Sequence, residues 1–453
     1  MFRPSQEAFL ATMIALSVGT SLLGLNGCGG NMGSPAPPST STPTSATYAE
    51  KFQHVVVIVQ ENRSVDNLFR GLPNADVATS GMTSQGQTIP LTAIPLETNF
   101  DLDHSHNAFE AMYDGGTMDG ADQITIFCSK GATNCPPPNA PFSYVDPSDV
   151  QPYFQLAETY TFADRMFQTN QGPSFPAHQF IIAGTSAPAA TSNLFAAENP
   201  DGSATAGAGC AAPPASFVAL IDPLGNESST IYPCFEHSTL MDLLDAKMID
   251  WRYYAPSATS IWTGPDAIQH IRNGPDWGSV VLNQKQVLTD IANNQLAQVT
   301  WVIPDGADSD HPTQNLGTGP SWVSSIVNAL GGSAYWPNTV VFITWDDWGG
   351  WYDHVPPQIY DYGYGFRVPL IVASPYAKAG YVSHVTHDFG SILKFIEETS
   401  GPPSLGYADA RADDLAECFD LNQTPINFTE VGAKYDAKYL LARIKAPTPP
   451  DTD

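Results

Sequence analysis

Three short segments carry residue types able to hold a divalent cation. Glu61 and Asn62 follow the apolar run Val55 to Val59, and Asp346 and Asp347 follow Val340 to Trp345. Asp305, Asp308, Asp310 and His311 follow a third run that begins at Val299. Such a cation needs convergent carboxylates and imidazoles, because anionic oxygen and neutral nitrogen replace its hydration waters. Glu61, Asp346 and Asp347 supply three anions, and Asn62 a neutral oxygen. His311 and His354 either complete a metal shell, act as acid–base groups or serve as hydrogen-bonded structural residues. Asp305, Asp308 and Asp310, each taken alone, read as members of a solvated polar loop. Gly349 and Gly350 let the backbone approach a ligand or serve a tight turn.

Covalent chemistry would also need a nucleophile. In GPSFPAHQF, from Gly172 to Phe180, Ser174 falls where a loop enters a helix. Backbone N–H groups at a helix start favour an anion such as phosphate, and a nearby metal would lower the pKa of the hydroxyl. The competing reading makes Ser174 an N-cap with Pro176 in the first turn.

These residues need elements to bring them together. Val55 to Val59 are all β-branched and apolar, which predicts a strand covered on both faces of a parallel sheet. Further strands are expected at Tyr160–Ala163, Ile249–Tyr254, Val299–Ile303, Val340–Trp345 and Pro369–Ala373. Helices are expected at Asp149–Glu158, Ser174–Ala183, Ser238–Ala246, Gln284–Asn294, Ser321–Leu330 and Asp388–Glu398. That alternation predicts an α/β fold with a largely parallel central sheet sandwiched by helices. In an open parallel sheet the carboxyl ends of the strands share one edge, where ligand sites form. Three runs that each stop on an acidic group therefore predict a site at that edge. Pro73–Asp146 and Thr185–Thr230 have weak periodicity and read as long insertions over the sheet.

The chain has 453 residues, with 18 Lys plus Arg against 46 Asp plus Glu, for a net charge of −28. That balance argues against nucleic-acid binding by a basic surface. Residues 1–28 read as an export signal, with Arg3 before an apolar stretch from Ala8 to Leu25. Leu25 to Cys28, LNGC, is similar to a bacterial lipobox, so Cys28 is expected to carry a lipid anchor to a membrane. A plain secretory signal or a retained anchoring helix are the alternatives. Either way the protein is expected to be exported, as a periplasmic or envelope lipoprotein or as a secreted one. Residues 29–47 are a Gly/Ser/Thr/Pro tether, residues 48–445 the expected catalytic domain and residues 446–453 a tail. Of the six cysteines, the close pairs Cys128/Cys135 and Cys210/Cys234 are expected as disulfides, leaving Cys418 over.

Several of these stretches together resemble a known family. ENRSVDNLFRG, from Glu61, is similar to the ENRSFD signature of bacterial phosphoesterases, which include phospholipases C and a related acid phosphatase. DHSHNAF from Asp103, DGGTMDG from Asp114 and GPSFPAH from Gly172 resemble further family segments, with Asp114 and Ala177 where the family carries Asn. DDWGGWYDHVPP from Asp346 and HDFGSILKFIE from His387 are the last two matches, and the similarity spans about residues 52–400. The resemblance implies an alkaline-phosphatase-like fold and a phosphate-ester substrate, either a monoester or a phospholipid head group. It implies a divalent metal on Glu61, Asn62, Asp346 and Asp347, with Ser174 attacking phosphorus. His104, His311 and His354 fall at or near positions that bind phosphate oxygens or protonate the leaving group. Trp345, Trp348, Trp351 and Tyr352 either pack a core or cage a choline-like cation. A catalytically silent surface protein that binds phosphorylated ligands is the non-enzymatic alternative.

Overall fold

A computed structural model describes residues 45–201, 207–358 and 362–443, all within one compact unit that runs from Pro43 to Asp453. Cys28, the export signal, most of the tether and the tail lie outside the described residues. The first described helix, Ser45–Lys51, begins inside the stretch expected as tether. Tyr48 anchors it on Phe395 and Phe419, with ring centroids 5.4 and 6.3 Å away. Among the described residues, no helix is long and apolar enough to cross a membrane.

Eight strands form the central sheet. In chain order they are β1 (His54–Gln60), β2 (Thr161–Ala163), β3 (Trp251–Tyr254), β4 (Val280–Val281), β5 (Val299–Val302), β6 (Thr339–Trp345), β7 (Leu370–Ala373) and β8 (Tyr381–Ser383). Their spatial order is β4-β3-β5-β1-β6-β7-β2-β8. All neighbours are parallel except the two pairings of β7, so β7 alone runs the other way. The three runs that end on acidic residues are adjacent: Val55 of β1 pairs with Val299 of β5 on one side and Val340 of β6 on the other. Every residue of β6 is buried, as its unbroken apolar run requires when both faces are covered.

Two groups of helices cover the sheet. Gly319–Gly331 packs on Gln151–Thr159 and Gln286–Ala292, while Ser174–Ala183 packs on Phe389–Ser400 and Leu240–Ala246. These elements follow the expected ones closely, because strong amphipathic or wholly apolar runs leave little freedom in placing them. The short strands β4 and β8 carry too few residues to show a period.

The two expected loop insertions hold more structure than weak periodicity suggested. The first contains the strand pairs Ser80–Met82 with Thr88–Pro90, Thr92–Ile94 with Ser143–Val145 and Phe100–Leu102 with Ile126–Cys128. It also contains the helix His106–Tyr113. A second apolar core joins this insertion to the segment after β6, with Phe100, Leu102, Phe109 and Met112 packed among Trp348, Trp351, Tyr352 and Phe366. The second insertion forms a small antiparallel sheet of Phe195–Ala196, Val218–Ile221 and Glu227–Ile231. Strands of two to five residues are too short to show a period, and Glu227–Ile231 is exposed along its whole length. Both expected disulfides, Cys128–Cys135 and Cys210–Cys234, are formed, and Cys418 is free and buried.

Candidate active site

At the carboxyl edge of the sheet, β1 delivers Glu61 and Asn62 while β6 delivers Asp346 and Asp347, and all four are fully buried. The chain turns at once after β1: Asn62 is left-handed at φ 60°, a conformation that asparagine tolerates better than most residues. Its backbone N–H then donates to Asp346 Oδ1 at 3.0 Å, locking the two strand ends together. Gly349, at φ +62°, lies so close that a Cβ there would stand 2.3 Å from the Asn62 carbonyl oxygen. Here the glycine serves close packing of backbone against backbone.

Ser174 opens the helix Ser174–Ala183, whose N-cap is Pro173, so the serine is not the cap. The N–H of Phe175 is satisfied by Asn199 Oδ1 at 2.9 Å. That leaves the Ser174 hydroxyl to donate to Asp347 Oδ2 at 3.2 Å. The other oxygen, Asp347 Oδ1, accepts from the Gly349 N–H at 2.8 Å. His178, one helical turn beyond Ser174, points into the same site. Its Nε2 lies 3.3 Å from Glu61 Oε1 and 3.6 Å from Asp346 Oδ2. Burial lowers the His178 pKa to about 4, although the charge of Asp346 opposes the shift, so the ring is neutral at ordinary pH.

The two remaining histidines of the site come from other segments. His104, on the first insertion, bonds to the Leu102 carbonyl through Nδ1 at 2.8 Å. Its Nε2 meets Asn62 Nδ2 at 2.9 Å and lies 4.0 Å from Asp347 Oδ2. Because Nδ1–H donates to a carbonyl, Nε2 accepts from the Asn62 amide, which directs Asn62 Oδ1 away from His104. His311, in the loop after β5, bonds to the Pro312 carbonyl through Nδ1 at 2.7 Å, with Asp101 Oδ2 at 3.7 Å. The His104 and His311 rings stand 6.4 Å apart, and Trp262 lies 5.8 Å from His311.

His354 sits elsewhere. Its ring bonds to Asp66 Oδ2 at 2.8 Å and to Asp76 Oδ1 at 3.1 Å, beside a buried Arg367 that is paired with Asp353. The three aspartates after β5 are also not a solvated loop. Asp305, Asp308 and Asp310 are buried, Asp305 and Asp308 against Arg443 and Asp310 against Tyr153 and Trp345. A distant arginine and a distant tyrosine supply those partners, which local sequence does not reveal. Trp345, Trp348, Trp351 and Tyr352 are likewise buried in the two cores, and that packing displaces the reading of them as a cation cage.

The residues fit a divalent cation. Ligand atoms of Glu61, His178 and Asp346 lie within 4.8 Å of one another. Asn62 Oδ1 and Asp346 Oδ2 are buried without a hydrogen-bond partner, a costly state unless a cation faces them. The adjacent Arg63 turns away and spends its guanidinium on the carbonyls of Asp310 and Leu96. His178 is the donor that motif reading passed over. The signal for it was its place four residues after Ser174 on one helical face.

The chain has relatives among known proteins. The chain is 25% identical over 441 residues to the hemolytic phospholipase C of Pseudomonas aeruginosa, covering 81% of this chain and 56% of that protein. It is 24% identical over 438 residues to phospholipase C B of Mycobacterium tuberculosis, covering 82% of this chain and 78% of that protein. This chain thus spans little more than half the length of the Pseudomonas enzyme. A solved alkaline phosphatase superfamily protein from Vibrio parahaemolyticus aligns over 83% of this chain and 74% of that one. The identity is 10% and the TM-score 0.38. The model of the Phosphoesterase family matches residues 52–401, which include every site residue named above, and the chain belongs to that family.

Proposed function

We propose that this protein hydrolyses phosphate esters with the help of a divalent metal and through a phosphoserine at Ser174. The observation that carries the reading is the Ser174 hydroxyl on Asp347, one helical turn from a histidine that faces two buried carboxylates. Glu61, Asn62, Asp346 and His178 are the residues that would hold the metal, with Asp347 beside them. Bound there, it would supply positive charge to the serine oxygen and to the phosphoryl oxygens.

Asp347 Oδ2 accepts the Ser174 proton as the oxygen attacks phosphorus. The alcohol departs on the opposite side. His104, held by the Leu102 carbonyl and the Asn62 amide, is placed to orient a phosphoryl oxygen. His311, its ring fixed by the bond from Nδ1 to the Pro312 carbonyl, is placed to protonate the departing oxygen. Water then cleaves the phosphoserine, with the same histidine able to take its proton. His354, bound to two aspartates outside this cluster, holds the strand ends in place and takes no part in the chemistry.

The substrate class includes monoesters and the head-group side of phospholipids, consistent with the phospholipase C names of the relatives. The test compares initial rates on a chromogenic phosphate monoester and its phosphorylcholine diester, with Ser174→Ala as the blank and several divalent metals. Serine-dependent turnover that chelation removes and one metal restores is the expected result. Full activity in Ser174→Ala would sink the mechanism. Tight metal binding without turnover of either ester would leave a binding protein instead.

A further inference from the structure

We propose that His387, Glu417 and Cys418 form a second metal site, suited to a thiophilic divalent cation such as Zn2+. They lie at the far side of the sheet from β1. His387 precedes the helix Phe389–Ser400, and Glu417 and Cys418 sit in the short helical turn Ala416–Cys418. The site abuts Ser383 at the end of β8, three strands along the sheet from β6, or about 14 Å at the usual strand spacing.

The distances carry the argument. His387 Nε2 lies 3.6 Å from Glu417 Oε1, and Cys418 Sγ lies 3.7 Å from the same oxygen. The first is too long for a good hydrogen bond. Both match the ligand–ligand edge of a tetrahedral zinc site, about 3.3–3.8 Å for metal–ligand bonds of about 2.0–2.3 Å. The ligand atoms of all three residues lie within 4.8 Å of one another. Ser383 Oγ stands 3.2 Å from His387 Nε2 and donates a hydrogen bond to Glu417 Oε1.

The surroundings match as well. Asp413 Oδ1 is 3.0 Å from His387 Nδ1, the carboxylate behind the imidazole that orients metal-binding histidines. Glu417 and Asp413 surround Cys418 with negative charge. Cys418 is buried and free, whereas the other described cysteines are paired in disulfides. Thiolate with imidazole selects zinc-like cations over magnesium or calcium, which prefer all-oxygen shells. Binding would release the thiol proton and tie the segment around Cys418 to β8 and to the helix that Tyr48 packs on.

The test strips the full-length protein with a chelator and titrates it with Co2+, following the near-ultraviolet thiolate-to-cobalt band. The band is expected in the parent protein and in Asp346→Asn, which weakens only the catalytic cluster, and is expected to vanish in Cys418→Ser. No band at saturating Co2+, or a band that survives in Cys418→Ser, would overturn the proposal. Should that variant fail to fold, Glu417→Gln keeps both the thiol and the side-chain shape. It should weaken Co2+ binding by about tenfold or more in the same band, and unchanged affinity would overturn the assignment.

Discussion

The hydroxyl of Ser174 donates to Asp347 Oδ2 across 3.2 Å, joining the first turn of a helix to the end of a strand 173 residues away in sequence. Asp347 is thus placed to take the serine proton while its other oxygen is held by the Gly349 N–H. Asp347→Asn keeps the shape and removes the base. It should lower kcat by about a hundredfold or more, in the range typical of a lost general base. Ser174→Ala should reduce turnover to the blank. Steady-state rates on one chromogenic ester check both, and a near-normal kcat for Asp347→Asn would move the proton elsewhere.

His178 faces Glu61 and Asp346 with an imidazole kept neutral by burial. A neutral ring offers a lone pair to a cation, whereas a protonated one repels it. His178→Ala should weaken metal affinity by at least about ten- to a hundredfold, the loss typical even of groups that only support a ligand. Calorimetric titration of the stripped protein checks this. Wild-type affinity in the variant would remove His178 from the metal shell.

The His354 network makes a prediction about pH. Burial opposes charge on this ring, but the hydrogen bond to Asp66 and the charges of Asp66 and Asp353 outweigh it, raising the pKa to about 9. The folded protein therefore holds this proton more tightly than the unfolded chain does. Its stabilisation is complete below the ordinary histidine value of about 6.5 and is lost as pH rises through about 9. Thermal unfolding should show Tm falling between about pH 6.5 and pH 9 more steeply in the parent protein than in His354→Gln. Parallel curves would show that the charged ring contributes nothing.

Much of this site was legible in the sequence, for a physical reason. Runs such as Val55–Val59 and Val340–Trp345 must be covered on both faces, which makes them central strands of a largely parallel sheet; the structure pairs them directly, with Glu61 and Asp346 at one edge. What local pattern does not encode is the partner of a polar side chain. The sequence places His354 seven residues after Asp347 in a motif rich in acids, yet Asp66 and Asp76 claim it. Asp310 sits in what reads as a polar loop, yet Tyr153 and Trp345 bury it. His178 was within reach through helical spacing, but Asp101 beside His311 depends on the folding of an insertion whose strands are only three residues long.

Gly349 is where backbone packing and chemistry meet. Its left-handed φ of +62° already costs any other residue about 1 kcal/mol. A methyl group there would also stand 2.3 Å from the Asn62 carbonyl oxygen and 2.8 Å from Asn62 Cβ. Backbone cannot yield as a flexible side chain would, so Gly349→Ala must push Asn62 away from its place between Asp346 and His104. The same shift disturbs the N–H that Gly349 gives to Asp347. The expected result is a loss of stability of about 1–3 kcal/mol in denaturant unfolding, together with a fall in kcat that added metal does not rescue. Gly278→Ala, at a position with no atom within 4 Å of the new methyl, is the control. If Gly349→Ala kept full activity, the close approach of the two strand ends would be packing alone, with no hold on the geometry of Ser174 and Asp347.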